Sequence, residues 1–140
     1  MKKKWLGLTL AVGVSMIVTA CGSDDSSSGE KEKAFEVGIS QYVEHPSLDE
    51  ATKGFKKAIE DAGLEVKFDE QNAQGDATNN QTIATNFAGD GVDLIFANAT
   101  PSALSAANAT KDIPVVFTSV TDPVGAELVK DFEKPDKNVT

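Results

Sequence analysis

Four repeats of a short apolar segment followed by a helical segment constrain the fold of this chain more than any other feature. The first apolar segment covers residues 35–40, and its helix carries Leu48, Phe55 and Ile59 at helical spacing. The other three apolar segments are residues 64–68, 92–97 and 113–118. Strands that alternate with helices are typical of a parallel sheet with helices on both faces. We therefore expect a doubly wound α/β domain with the strand order 2-1-3-4.

Local signals predict where the first two helices begin and end. Ser47, with Glu50 three residues later, predicts a capping box at the start of the first helix. Gly63 predicts a left-handed stop at its end. Asp76 is expected to cap the second helix.

Similar signals occur in the second half of the chain. Thr100 is expected to cap the third helix, with Pro101 at its first position. Asp122 and Pro123 predict the start of a short fourth helix. Residues 138–140 are expected to open a fifth strand.

The first 20 residues have the pattern of a secretory signal peptide. Three lysines precede an apolar run over residues 5–18, and small residues lead to Cys21. The run is too short for a confident membrane span, although an uncleaved anchor is the alternative. Residues 22–33 contain no apolar side chain and cannot offset the entropy lost on ordering. We expect residues 21–33 to be a flexible linker to a domain at residues 34–140.

Residues 18–21, Val-Thr-Ala-Cys, resemble the lipobox of bacterial lipoproteins. The resemblance implies cleavage before Cys21, a diacylglyceryl thioether on its sulfur and N-acylation, with palmitate as the expected acyl group. Cys21 is the only cysteine, so the chain cannot form an internal disulfide. Because two acyl chains are needed for durable anchoring, this lipid would hold the domain on the extracytoplasmic face of the cell membrane.

The charge of the chain argues against nucleic acid as a partner. The sequence has 13 lysines, no arginine and 22 acidic residues, which gives a net charge of −9. Removal of residues 1–20 would leave 10 lysines against 22 acids, a net charge of −12. Basic side chains supply the affinity for phosphate backbones and for anionic lipid. We therefore expect membrane contact through the lipid anchor only.

Polar residues follow the predicted strands at the edge where the strand order reverses. In doubly wound sheets, ligands bind beyond the carboxyl ends of the strands at this switch point, here between the first and third strands. Free N–H groups at the start of the third and fourth helices would suit a carboxylate there. The candidate ligand-binding residues are Ser40, Gln41, Tyr42, Pro46, Leu48, Asn72, Asn98, Ala99, Thr100, Thr121 and Asp122.

Several candidates also have a plainer structural interpretation. Tyr42, the only tyrosine, could stack on a flat ligand or shield the edge of the core. Thr100 and Asp122 could be helix caps, and we favour the cap for Asp122. His45, the only histidine, has no second imidazole or nearby cysteine for a metal site and no nucleophile partner for catalysis. We expect His45 to form a hydrogen bond within its loop.

Three segments resemble the ABC-transporter binding proteins for tryptophan, tyrosine or related aromatic amino acids, which have the type I periplasmic-binding-protein fold. The segments are residues 37–49 (VGISQYVEHPSLD), 93–103 and 117–126. The resemblance implies capture of an aromatic amino acid for import by a permease and an ATPase, without catalysis and without a cofactor. Members of that family have two lobes and this chain resembles the first, so we expect a truncated gene product or a fragment.

Three alternatives remain open at the level of sequence. The same fold could bind a nucleoside, a sugar or another small solute. A flavodoxin-like domain could serve as a surface enzyme with a bound flavin. A binding lobe could also signal through a receptor instead of a permease.

Overall fold

The computed structural model describes residues 34–135 and 137–140. Strands and helices alternate along them as β1 (Phe35–Gln41), α1 (Pro46–Asp61), β2 (Val66–Asn72), α2 (Ala77–Asp90), β3 (Leu94–Asn98), α3 (Thr100–Ala109) and β4 (Val115–Thr118). The strands form one parallel sheet in the order β2-β1-β3-β4. The predicted α/β fold class and strand order are therefore confirmed.

The larger part of the core lies between the sheet and helices α2 and α3. Side chains alternate between the two faces of a strand, and Ile95 of β3 packs here with Phe87 of α2 and Ala103 of α3. Phe87 lies directly under Gly38 of β1: a Cβ atom at Gly38 would be 2.7 Å from the Phe87 ring. This close approach requires glycine in the middle of a buried strand.

The other face of the sheet is covered by α1. Val37, Ile39 and Phe96 form its buried cluster. The Phe55 ring of α1 stacks on Phe96 with 4.0 Å between ring centroids and 9° between ring planes. Thr52 is the buried residue of α1, whereas the apolar positions predicted to face the core are only half-buried.

Strand β2 extends further than its apolar pattern predicts. It begins at Val66 and continues to Asn72, four residues beyond the apolar segment at residues 64–68. The whole strand pairs with β1, from Phe35 opposite Val66 to Gln41 opposite Asn72. β2 is an edge strand, held by backbone hydrogen bonds to β1. Its side chains that face away from the core can therefore be polar.

The predicted capping box at the start of α1 is wrong. His45 is the N-cap, with extended backbone, and its Nδ1 accepts a hydrogen bond from the Ser47 N–H at 3.2 Å. Pro46 occupies the first helical position, which its fixed φ favours, so the helix begins before Ser47. Glu50 pairs instead with Lys53 at 3.4 Å.

Two other predicted helix ends are confirmed. Asp76 caps α2, and its Oδ1 accepts from the Asn79 N–H at 2.8 Å. Gly63, beyond the end of α1, has a left-handed backbone with φ +71°. Glycine adopts this conformation without steric cost.

The caps predicted for the second half of the chain need correction. Ala99, with no side-chain hydrogen bond, is the N-cap of α3, and Thr100 is the first residue of the helix. Turns replace the predicted fourth helix, although Asp122 Oδ1 still accepts from the Gly125 N–H at 2.8 Å. The left-handed backbone of Glu127, with φ +57°, ends the helical path after about one turn.

The end of the chain opens a fifth parallel strand beside β4, as predicted. Val115 N–H donates to the Asn138 carbonyl at 2.8 Å, and Thr140 N–H donates to the Val115 carbonyl at 2.9 Å. Val139 forms a parallel bridge with Val115 and is buried. The open edge of β4 is thereby covered along this stretch.

The signal peptide expected at residues 1–20, the lipid on Cys21 and the linker at residues 21–33 lie outside the described residues, so they stay predictions. Within the described ranges, none of the helices combines the length and apolar character that crossing a membrane requires.

A methyl group at Gly38 is expected to destabilise the domain, because the Phe87 ring occupies its place. Gly38→Ala should lower the free energy of unfolding by about 1–3 kcal/mol, measured in urea. Gly54→Ala is the matched control: it adds a methyl group inside α1 with nothing within 4 Å and should stabilise by about 1 kcal/mol. Equal effects of the two substitutions would contradict the proposed close packing.

Candidate functional site

The four strands end side by side at one edge of the sheet. Their last residues are in register across the sheet: Asn72 of β2 lies opposite Gln41 of β1, Gln41 opposite Asn98 of β3, and Asn98 opposite Thr118 of β4. We call this row the carboxyl edge. Since β1 connects to β2 on one side and pairs with β3 on the other, the switch point lies between β1 and β3.

Backbone hydrogen bonds hold the exit loops next to one another at the carboxyl edge. Ala73 N–H donates to the Gln41 carbonyl at 2.9 Å, and Tyr42 N–H donates to the Asn98 carbonyl at 3.3 Å. Ala99 N–H donates to the Thr118 carbonyl at 3.1 Å. Tyr42 and Thr100 therefore follow two adjacent strands, as the sequence predicted.

Gln41, Thr52 and Asn98 form a buried group of side chains that we call the amide network. All three are at most 5% exposed. Asn98 Nδ2 donates to the Thr52 hydroxyl at 3.0 Å and to the Leu48 carbonyl at 2.7 Å. The Thr52 hydroxyl donates to Gln41 Oε1 at 2.9 Å. The network thus joins the ends of β1 and β3 to the start of α1.

The network also reaches the loop between β1 and α1. Gln41 Nε2 donates to the Val43 carbonyl at 3.0 Å and to Asp49 Oδ1 at 2.7 Å. Two buried acceptors, Asn98 Oδ1 and the fully buried Ser40 hydroxyl, have no hydrogen-bond partner among the described residues. Gln41 and Asn98, predicted to contact ligand, are thus mainly engaged with the protein itself, and Ser40 lies below the surface.

Tyr42 connects two of the exit loops. Its hydroxyl donates to the Gly75 carbonyl at 2.8 Å, and the Gly75 N–H donates to the Tyr42 carbonyl at 2.8 Å. In the same loop, Asn72 Oδ1 accepts from the Gln74 N–H at 2.8 Å. The half-buried Tyr42 side chain thus links the two loops at the carboxyl edge.

A second polar group holds the start of α3. Asn80 of α2 is 1% exposed, and its Nδ2 donates to the Pro101 carbonyl and to the Ser105 hydroxyl, both at 2.8 Å. The Ser102 hydroxyl donates to Asn80 Oδ1 at 3.0 Å. Asn80 therefore fixes the first turn of α3, where the leading N–H groups have no partner within the helix.

Ala99 has a strained backbone at this helix start. Its φ of +100° with ψ of 156° lies in a region that glycine occupies freely and alanine rarely does. Ser119, which directly follows β4, also has positive φ, at +58°. Such strain often accompanies functional loops. Here the hydrogen bond from the Ala99 N–H to the Thr118 carbonyl keeps Ala99 in this conformation.

The remaining candidates occupy the rim of the carboxyl edge. Pro46 is exposed, Leu48 and Thr100 are half-buried, and Thr121 and Asp122 are exposed after β4.

The loops at this edge are acidic. They carry Glu44, Asp76 and Asp122 and contain no lysine over residues 42–45, 73–76, 99–101 and 119–123. The part of the chain that the structure describes holds no group of three His, Cys, Asp or Glu side chains arranged for a metal ion.

A charged concavity lies at the opposite edge of the sheet, near the start of β1. Glu36 and Lys67 line it and form an ion pair at 2.7 Å. The hydrogen bond and the charge of Glu36 raise the pKa of the exposed Lys67 ammonium. This concavity is away from the switch point, where the fold places its ligands.

Two important residues were missed by the sequence analysis. Thr52 lies four residues after Leu48 and three before Phe55, so its position on the sheet-facing side of α1 could have been read from the spacing. Asn80 lies four residues before Ala84 and seven before Phe87, so the spacing also places it on the buried side of α2, although its partners on α3 could not be read from the sequence.

Comparison with known proteins gives the family. The family model described as "ABC transporter substrate binding protein" matches residues 36–140, which include the sheet except for Phe35 and every loop of the carboxyl edge. The chain belongs to this family. The family resemblance stated from the sequence is thereby confirmed, and the strand order matches that of type I periplasmic binding proteins.

Relatives in this family resemble the chain over three quarters of its length or more. The tyrosine-binding protein of Clostridioides difficile strain R20291 is 52% identical over 151 aligned positions, which cover 99% of this chain and 44% of that protein. The ligand-free, open structure of a substrate-binding protein with adhesive properties from Clostridium difficile is 53% identical, with a TM-score of 0.74 over 76% of this chain and 37% of that one.

A third relative was solved with an amino acid bound. It is the ABC domain from Streptococcus pneumonia in complex with L-Trp, 41% identical with a TM-score of 0.74, covering 77% of this chain and 38% of that one. The chain therefore spans less than half the length of the relatives it matches.

Relief of the strain at Ala99 is expected to stabilise the domain. Ala99→Gly should raise the free energy of unfolding by about 1 kcal/mol, since glycine adopts positive φ freely and the strain exceeds the added entropy of the unfolded chain. The measurement is thermal unfolding, with an expected rise of about 4–8 °C. The control, Ala107→Gly inside α3, should destabilise by about 1 kcal/mol. A destabilising Ala99→Gly would show that this backbone is not strained.

Proposed function

We propose that this chain is the first lobe of an extracytoplasmic solute-binding protein of an ABC importer, and that its solute is an aromatic amino acid. The observation that carries the proposal is the similarity of the chain to a protein named as tyrosine-binding and to an ABC domain solved in complex with L-Trp. A permease and an ATPase of the same transport system would be its partners.

The position of Tyr42 supports an aromatic solute. Its hydroxyl is bonded to the Gly75 carbonyl and its main-chain carbonyl to the Gly75 N–H, so the side chain loses little conformational freedom when a ligand stacks on it. Aromatic rings prefer offset-stacked or edge-to-face contacts, and a held ring presents one defined surface for them. Tyr42 is therefore our proposed contact for the solute's side chain.

The charges of the edge support an amino acid rather than an anionic solute. Glu44, Asp76 and Asp122 lie in the loops of the carboxyl edge and no lysine lies in these loops, so an ammonium group would be favoured and a phosphate disfavoured. At the first turn of α3 the donor for a carboxylate is the Thr100 N–H, since Pro101 has no N–H and Ser102 is fully buried. Thr100, at that turn, is the proposed contact for the solute's carboxylate.

Capture would not involve catalysis. A lobe of this kind contributes one side of a cleft, and closure against a second lobe would bury the solute and signal the loaded state. In this proposal, the lipid on Cys21 and the linker at residues 21–33 hold the protein at the outer face of the membrane, where a permease can be reached. Two acyl chains provide durable anchoring for such a tether.

Binding to aromatic amino acids tests the proposal directly. Isothermal calorimetry on the protein expressed in full from its own gene should show binding of L-tryptophan or L-tyrosine. Tyr42→Ala should weaken that binding about tenfold, because a stacked ring and its buried area are lost. Phe35→Ala is the matched control: Phe35 is an exposed ring at the opposite end of β1, and its removal should leave affinity unchanged.

Two outcomes would contradict the proposal. If a nucleoside or a sugar binds and no aromatic amino acid gives heat, the proposed solute is wrong, although the protein still binds a solute. Equal loss of affinity from Tyr42→Ala and Phe35→Ala would show that Tyr42 makes no specific contact with the solute.

A further inference from the structure

Helix α1 is attached to the sheet in two different ways along its length. Near its middle, Phe55 stacks on Phe96 with 4.0 Å between centroids. At the end nearest the carboxyl edge, the buried contact is the polar side chain of Thr52, 4% exposed. The apolar residue of the first turn, Leu48, is only half-buried. The start of α1 is therefore held chiefly by hydrogen bonds.

The Thr52 hydroxyl is at the centre of these bonds. It donates to Gln41 Oε1 at 2.9 Å and accepts from Asn98 Nδ2 at 3.0 Å, so one oxygen joins β1, β3 and α1. Without it, Gln41 Oε1 would keep only a contact of 3.5 Å with Asn98 Nδ2. A buried polar group that loses its partner is destabilised more than the bond itself was worth.

The same amides fix the loop between β1 and α1. Asn98 Nδ2 holds the Leu48 carbonyl, and Gln41 Nε2 holds the Val43 carbonyl and Asp49. Rotation of the Asn98 amide would release the Leu48 carbonyl, and rotation of the Gln41 amide would release the Val43 carbonyl and the Asp49 carboxylate. The orientation of Gln41 depends on Thr52, because the hydroxyl occupies the oxygen end of that amide and leaves the nitrogen end for the loop.

We infer that Thr52 is a positioning residue of the solute site. Its side chain is buried and acts through Gln41 and Asn98, which place residues 42–49 at the carboxyl edge before the solute arrives. This inference rests on the proposed function, because it gives the network a role in holding solute. A loop that is already ordered pays less entropy on binding, and a loosened loop releases its ligand faster.

The test compares Thr52→Val with Thr52→Ser in the protein expressed in full from its own gene. Valine has the shape of threonine without the hydroxyl, whereas serine restores the hydroxyl. Thr52→Val should speed amide hydrogen exchange over residues 42–49 and raise the dissociation rate of L-tryptophan or L-tyrosine about tenfold. Thr52→Ser should return both quantities to within about threefold of the parent protein.

Two control variants separate positioning from general loss of stability. Thr85→Val removes a hydroxyl that bonds only within α2, to the Gln81 carbonyl at 2.8 Å, and should change neither quantity. Phe55→Leu weakens the stacking contact of α1 with Phe96 and leaves the amide network intact. It should lower the melting temperature without accelerating dissociation as Thr52→Val does.

The outcomes distinguish this inference from the proposed function. If the parent protein binds no aromatic amino acid, the proposed solute is wrong, and the exchange rates over residues 42–49 still decide whether Thr52 orders the loop. If the parent protein binds but Thr52→Val leaves dissociation or exchange unchanged, the inference is overturned. It is also overturned if Phe55→Leu accelerates dissociation equally, since α1 stability alone would then explain the effect.

Discussion

The arrangement of the carboxyl edge depends on the buried carboxamide of Asn98. Its nitrogen binds the Leu48 carbonyl and the Thr52 hydroxyl, so the end of β3 fixes where α1 begins. Burial removes water as an alternative partner, and a buried polar group left unpaired costs about 1–3 kcal/mol. A loop conformation that moved Leu48 away would incur that cost. Hydrogen-bond satisfaction thus selects one geometry for a loop that has few apolar contacts of its own.

The two faces of the sheet use different forces to hold their helices. On the α2 and α3 face, close apolar packing dominates, and the Phe87 ring fills the space where a Gly38 side chain would lie. On the α1 face, one aromatic stack and a set of hydrogen bonds hold a helix whose apolar side is half-buried. The Asn80 contacts to α3 add a second polar clamp at the same edge. Polar contacts therefore concentrate where helices start, and apolar contacts lie farther along the helices.

The sequence predicted the fold well and the local geometry of the edge less well. Alternating strands and helices, with crossovers too long for hairpins, were enough for the sheet order. Helix starts depended on competition between neighbours: the preference of Pro46 for the first helical position outweighed that of Ser47 for the cap. The positive φ of Ala99 could not be predicted, because a hydrogen bond to another strand imposes it on a residue that avoids it. The helical spacing places Thr52 on the sheet-facing side of α1, but it does not indicate which residues Thr52 contacts.

Tyr42 is the only tyrosine of the chain, and the single tryptophan, Trp5, precedes the residues that the structure describes. The near-ultraviolet absorption of the described residues therefore comes chiefly from one phenol, whose hydroxyl is bonded to the Gly75 carbonyl. Any event that breaks this bond or places a ring against the phenol changes the optical signal of the whole domain. The fold has thus placed a built-in chromophore at the carboxyl edge, where the proposed solute would bind.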